Sequence, residues 1–176
     1  VAGSVGEFWT RMSLDHLFSL KEEKKESELF EKGVRFGKAL QMINILRDIP
    51  ADLSLGRCYI PSRRLAEHGI TPKDLLEPPS MDVFRPLYNE YLDLTDEYLT
   101  SAIQYIEMLP HSQFRLRGAC MLPVIIGKRT VSMLRGRNVL DPSNRIKIDR
   151  SEINDVIKRV VFAVPFKGSS KKILSE

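Results

Sequence analysis

Residues 41–61 read QMINILRDIPADLSLGRCYIP, and the spacing of the polar residues in this stretch decides how the rest of the chain is read. At about 100° per residue, Gln41, Asn44, Asp48 and Asp52 fall within roughly 80° of one another on a helix. The remaining faces carry Ile43, Ile45, Leu46 and Ile49. A helix apolar on most sides is buried, so its one polar stripe must face a partner or a cavity. Two carboxylates four residues apart on such a face repel each other, and burial makes their ionisation costly. A hydrated divalent cation resolves both problems. Hard oxygen donors suit Mg²⁺, which keeps waters and bridges carboxylates to substrate phosphates. Asp-x-x-x-Asp alone is a weak signal in a chain with ten aspartates, and an exposed or capping pair is the alternative. Pro50 removes a helical hydrogen bond, so it is the point at which Asp52 would leave the stripe.

Working outward, the pattern is helical throughout. A long helix is expected over residues 28–52, preceded by an apolar helix over 1–20 and a charged linker or helix start, KEEKKESE, over 21–28. Residues 56–61 break the long helix, a short helix over 62–68 ends at Gly69, and Thr71-Pro72 begins another turn. Apolar spacings of three to five residues predict helices over 81–109 and 112–135, the second kinked at Pro123. Asp141, Pro142, Ser143 and Asn144 form a turn, and Ser151 with Glu152 opens a last helix reaching 164. No alternating strand of convincing length and no Asn-Gly or Asp-Gly hairpin signal appears in the sequence. The expected architecture is one all-α domain over residues 1–176.

Composition narrows the class. The 176 residues are 43% hydrophobic and 28% charged, which excludes collagen-like and wholly disordered chains. The longest apolar run, residues 121–126, is far short of the roughly 18 needed to span a bilayer. Two cysteines make no disulfide framework, so a reducing compartment is expected. The net charge of +4 is uneven: residues 1–127 carry 15 basic and 18 acidic side chains, and residues 128–176 carry 12 and 5. The basic end lacks the interleaved aromatics of single-strand binders, which argues against nucleic acid and leaves an anionic membrane surface, a phosphorylated ligand or a plain solvated terminus. The opening VAGSVGEFW has neither an initiator Met nor a signal-peptide pattern, and it reads as the interior of a longer chain.

The residues also carry a resemblance. GKALQMINILRDIPADLSLGRCYIP is similar to the second aspartate-rich signature of the squalene/phytoene synthase family, approximately Q-x-x-N-x-x-R-D-x-x-x-D-x-x-x-G-R-x-Y-x-P. Gln41, Asn44, Arg47, Asp48, Asp52, Gly56, Arg57, Tyr59 and Pro61 meet it, a coincidence on the order of 10⁻¹² per start position. VAGSVG resembles the family's VAG-x-VG segment, and RLRGACMLPVIIGKRTVSML its later Leu-Pro helix. Within the family, the Cys of GRCYIP and the Pro of DIPAD look most like bacterial farnesyl-diphosphate farnesyltransferases.

The resemblance implies part of the all-α class I isoprenoid (terpenoid) synthase fold, in which helices surround a central cavity. It implies Mg²⁺-dependent head-to-head condensation of two farnesyl diphosphates through a cyclopropylcarbinyl diphosphate, with NADPH as reductant if the product is squalene. The alternatives are phytoene synthesis from geranylgeranyl diphosphate and a non-catalytic assembly-factor relative. The first aspartate-rich segment with its arginines, and a Tyr, are expected upstream of Val1, so residues 1–176 match the C-terminal two thirds of such an enzyme. A cytoplasmic place at the inner face of the membrane is the accompanying expectation, with no indication of oligomeric state.

Carried onto this sequence, Asp48, Asp52 and Asn44 are the expected Mg²⁺ ligands, and Arg57 with Arg47 the expected phosphate partners. For Arg47, some 80° off the stripe, a salt bridge elsewhere is the alternative. Gln41 lines the cavity, and Tyr59 either bonds the diphosphate or braces its loop. Val1, Val5, Gly6 and Trp9 match chain-binding positions, with Gly6 admitting a prenyl chain close to the backbone. Ordinary helix packing is the alternative for each. The three histidines have no metal-ligand spacing, and without G-x-G-x-x-G any NADPH has no Rossmann site.

Overall fold

In a computed structural model, residues 2–143 and 146–175 are described, and among them all regular structure is helical. The helices are α1 (Ala2–His16), α2 (Glu23–Arg47), α3 (Ile49–Ser54), α4 (Ser62–Glu67), α5 (Met81–Met108), α6 (Phe114–Gly136), α7 (Arg150–Ala163) and α8 (Lys167–Ser175), with two 3₁₀ turns at Asp74–Leu76 and Pro78–Ser80.

α2 is the axis of the molecule. It buries Leu29, Gly33, Phe36, Ala39, Ile43 and Leu46 at spacings of three and four, the period of one helical face. That face packs on α5, where Tyr88, Leu92, Leu99 and Tyr105 are fully or almost fully buried. α1 packs antiparallel on the neighbouring flank of α2, beside α5, through glycines. A Cβ at Gly6 would lie 1.9 Å from the Gly33 carbonyl oxygen, and one at Gly37 would lie 2.2 Å from the Ala2 oxygen. Only hydrogen in place of Cβ permits so close a crossing. Thr10 completes the seam, accepting no larger neighbour at Gly33 and bonding the Tyr105 hydroxyl at 3.2 Å.

α6 closes the core from the side of α5, and its buried Arg117 donates to the Ile106 and Leu109 carbonyls at the end of α5. These are acceptors that a helix C-terminus leaves open. Burial depresses the affinity of that guanidinium for its proton. α7 lies on α6 through Val156, Val160 and Ala163, and α8 folds back against both.

The sequence-based boundaries need three corrections. The long helix starts at Glu23 rather than 28, so of the two readings of the charged run the helix start holds, with Glu23 and Glu26 in the first turn, where acids complement the helix dipole. The long helix ends at Arg47 rather than 52, and a separate α3 follows. A further helix, α8, follows the expected last one. The turn at 141–143 forms as expected, with Ser143 N–H and Oγ–H both donating to Asp141 Oδ1; Asn144 lies outside the described residues.

Candidate active site

The break between α2 and α3 falls at Asp48, which caps both helices with φ −100° and ψ 15°. Pro50 sits in the first turn of α3, the helical position that best tolerates a missing N–H. Two hydrogen bonds nevertheless carry the helical register across the junction. Asp48 N–H donates to the Asn44 carbonyl at 2.9 Å, and Asp52 N–H to the Asp48 carbonyl at 2.9 Å. Asn44, Asp48 and Asp52 therefore keep a one-turn spacing despite the proline.

The carbonyl that loses its partner is Leu46, whose helical donor four residues on would be Pro50. Tyr88, fully buried on α5, supplies the replacement: its hydroxyl donates to the Leu46 oxygen at 3.0 Å. Burial pushes the Tyr88 phenol pKa well upward, so the donor stays protonated. Nothing local in the sequence points to this residue. The orphaned carbonyl is readable from Pro50, but its partner lies 42 positions away.

At the junction Arg47 grips Asp48 with both arms of its fork, Nε to Oδ1 at 2.8 Å and Nη2 to Oδ2 at 2.5 Å. Such bidentate pairs are the strong, directional kind. The carboxylate raises the guanidinium pKa, burial opposing it. Arg47 thus forms its salt bridge with the stripe itself. Beyond Asp52 the chain turns back at Gly56, whose φ of +71° lies in the left-handed region. Arg57 N–H then returns to the Asp52 carbonyl at 2.9 Å. The Gly-Arg step of the motif is thereby explained: glycine makes the turn that carries Arg57 back beside Asp52. Asp52, Arg57 and Tyr59 line one small cleft floored by Ile49 and Ile60.

Arg47 and Asp48 open onto a second cleft of about 820 Å³, walled by Ile126, Val139, Ile146 and Ile148, with Lys147 at its side. Ile146 and Ile148 are buried while Lys147 between them is exposed, so the stretch leaves a cation at the rim of the cleft that Arg47 and Asp48 also line. The sequence reading missed Lys147, although the alternation Ile-Lys-Ile was its signal.

Other expected site residues are placed differently. Gln41 and Asn44 are exposed, so the polar stripe faces outward from this chain rather than into a cavity within it; the apolar face of α2 is the opposite one. Gly6 is spent on the α1–α2 crossing, which accounts for the glycine by ordinary helix packing. Val5 and Trp9 lie on the outer face of α1 with Phe8 and Met12, at 62%, 47%, 63% and 40% exposure, an uncovered apolar stripe. The Cys120 thiol on α6 is buried, and desolvation raises its pKa to about 11. Val1 lies outside the described residues.

The donors of the stripe, an amide and two carboxylates, are hard oxygens. Among the described residues no three His, Cys, Asp or Glu side chains gather into a metal cage. This chain's residues therefore fit an ion that keeps waters and shares ligand phosphates, such as Mg²⁺, and do not fit one enclosed by protein alone.

Among the described residues the frame is all-helical and carries an Asn-x-x-x-Asp-x-x-x-Asp ladder, with arginines at its junction and its return turn. Residues 1–152 match the family model for squalene/phytoene synthase, and the chain belongs to that family. Among curated proteins it is 30% identical over 159 residues to a bifunctional lycopene cyclase/phytoene synthase of Gibberella fujikuroi, covering 88% of this chain and 27% of that protein. Proteins of the same description from Podospora anserina and Neurospora crassa are 35% identical over 101 residues (55% of this chain, 17% of the relative) and 39% identical over 79 residues (45% and 13%). The chain spans about a quarter of the length of the first of these relatives.

Proposed function

We infer that this chain supplies one wall of a prenyl synthase that joins two molecules of geranylgeranyl diphosphate head to head to give phytoene. The observation that carries the reading is the unbroken Asn44–Asp48–Asp52 ladder with Arg47 clamped on Asp48 and Arg57 returned to Asp52. The relatives' descriptions name phytoene synthase, which favours the C20 substrate over the farnesyl diphosphate of the initial expectation.

In this reading Asn44, Asp48 and Asp52 hold Mg²⁺, which when bound neutralises the diphosphate as charge builds on the leaving oxygen. Arg47 releases part of its grip on Asp48 to meet phosphate oxygens, a task its fork suits. Arg57 and Lys147 add positive charge from either side of the ladder. Loss of diphosphate leaves an allylic cation, and the alkene of the second substrate attacks it. The apolar walls at Ile126, Ile146 and Ile148 exclude water from that cation. Loss of a proton then closes a cyclopropylcarbinyl diphosphate; its diphosphate leaves in turn, and rearrangement with loss of a second proton gives phytoene, a sequence that needs no hydride and runs without NADPH.

The test is to incubate the full-length protein and Mg²⁺ with labelled geranylgeranyl or farnesyl diphosphate, with and without NADPH, and to identify products by mass spectrometry. Phytoene from the C20 substrate without NADPH is the expected result. Squalene from the C15 substrate would return the reading to squalene synthesis, and no diphosphate release from either would favour a non-catalytic relative.

A further inference from the structure

The α7–α8 turn presents a second uncovered apolar patch, remote in sequence from the aspartate ladder. Val161, Phe162 and Phe166 are 60%, 76% and 64% exposed, and Ile157 extends the patch one turn back along α7. Large aromatics so far out of a core are not scattered surface residues, because they sit together at one tip. The tip is held in shape. Phe166 N–H donates to the Ala163 carbonyl at 2.9 Å, Ser170 N–H to the Phe166 carbonyl at 3.0 Å, and His111 Nε2 bonds the Pro165 oxygen at 2.8 Å. Val160, Ala163 and Val164 anchor the inner side in the core. The phenylalanines are therefore presented by a fixed backbone.

What surrounds them is positive. Residues 155–172 contain five basic side chains and one acidic one, a net +4. Lys158 and Lys171 keep 72% and 80% of their side chains exposed, and their contacts to Asp155 and Glu107 are long, 3.8 Å each. We propose that the α7–α8 tip is a membrane-docking surface that seats Phe162 and Phe166 among the acyl chains of an anionic bilayer while the lysines meet its headgroups. Apolar side chains beside a cationic rim are the chemistry of interfacial helices. Long lysine stems let the ammonium groups rise to the phosphate layer as the aromatics descend. A second copy of this chain is the poorer occupant, because the same +4 rims would oppose each other. Among the described residues no helix is long and apolar enough to cross a membrane, so the contact is one of lying on the surface. The proposal does not depend on the reaction inferred above.

The test is co-sedimentation of the full-length protein with vesicles of phosphatidylcholine alone or with 30% phosphatidylglycerol, at low and at high salt. Binding is expected to the anionic vesicles and to fall with salt. Phe162→Ser/Phe166→Ser should lower the partition coefficient roughly tenfold or more, with an unchanged melting temperature because both rings are already exposed. Lys158→Glu/Lys171→Glu should lower it about fivefold per lost charge or more. Independently, Phe166→Trp should become quenchable by bromine-labelled acyl chains. Absence of parent binding to anionic vesicles, binding by the double serine variant equal to the parent's, or lack of quenching at position 166 would each overturn the proposal. So would a parent that forms a dimer which the serine variant loses while vesicle binding stays the same.

Discussion

Two helices of this chain leave large apolar side chains in the open, and they do so in opposite company. On α1, Val5, Phe8, Trp9 and Met12 form a stripe at spacings of three and four. The helix itself is pinned to α2 by a glycine seam and tied to α5 by Thr10 on Tyr105. Its crossing partner Gly37 lies one turn before Gln41, where the polar ladder begins. At the α7–α8 tip, Val161, Phe162 and Phe166 stand in a field of lysines and arginines, and no ladder of oxygen donors is near in sequence. Exposure alone says the same of both. Neighbouring chemistry separates them, giving an apolar surface beside the proposed diphosphate-binding ladder in one case and beside a cationic rim in the other.

The sharpest way to break that separation is to remove a member of the ladder. Asp48→Ala in the full-length protein is expected to cost on the order of 10³-fold in turnover, the scale of losing a group that stabilises developing charge. Circular dichroism should remain that of the folded protein, and vesicle binding should be untouched. Turnover within tenfold of the parent would sink the assignment of Asp48. A smaller effect is expected from seating α1 badly. Gly6→Val drives a side chain into the Gly33 carbonyl, and about 3 kcal/mol of stability should be lost, the upper range for overpacking. Val5→Ala, one residue away but on the open stripe, should change stability by less than about 0.5 kcal/mol. Equal melting temperatures for the two variants would show that the α1–α2 crossing is not as close as described.

How much of this was visible in the sequence depends on the range of the interactions. The all-helical class, the α4 stop at Gly69 and the ladder residues follow from local periodicity and from a motif contained in 21 residues. The helix break at Asp48 was half legible: Pro50 announced a disturbance, yet the same proline is harmless in the first turn of α3, so Asp52 stays one turn from Asp48. Gly6 carried the opposite lesson. Its motif suggested room for a ligand, and only the neighbouring helix shows that the room is occupied by Gly33. The α8 helix escaped because KGSSKKILS has too few apolar residues to display a period and is held instead by packing on α6 and α7.

The alkaline limit of the molecule tests the anchoring of the α1 stripe. Cys120 has a folded pKa of about 11, raised chiefly by desolvation, and Tyr105 beneath the seam one of about 12, for the same first reason. Each folded value is above the ordinary one, so the native state holds these protons more tightly than the unfolded chain. Their contribution is then whole below the unfolded pKa, near 9 for the thiol, and is lost as the pH rises toward the folded value. Denaturant midpoints should fall between pH 9 and 11, by an amount equivalent to roughly 1–2 kcal/mol for Cys120. In Cys120→Ala the part due to the thiol should vanish, leaving a shallower decline that begins later, with Tyr105.

The smallest effect, and the most local, concerns the hinge between the two parts of the ladder. Leu46 offers a carbonyl that Pro50 cannot satisfy, and the Tyr88 hydroxyl does so at 3.0 Å in a fully buried setting. Tyr88→Phe keeps the ring, including its tilted contact with Phe84 at 5.4 Å between centroids, and deletes only the donor. The cost is that of one buried acceptor left alone, about 1 kcal/mol, or a fall of about 2–4 °C in melting temperature for a chain of this size. Because the orphaned oxygen lies one residue before Arg47, the loosened junction should also lower kcat a few-fold while KM for the diphosphate substrate stays within about twofold. Restoring a donor with Tyr88→His would not recover the effect, since the imidazole is shorter and cannot reach from the same Cα. A Tyr88→Phe protein with lower stability but the parent's kcat would mean that the hydroxyl braces the core alone; one with both reduced and vesicle binding intact would place the hinge, and the hinge only, under its control.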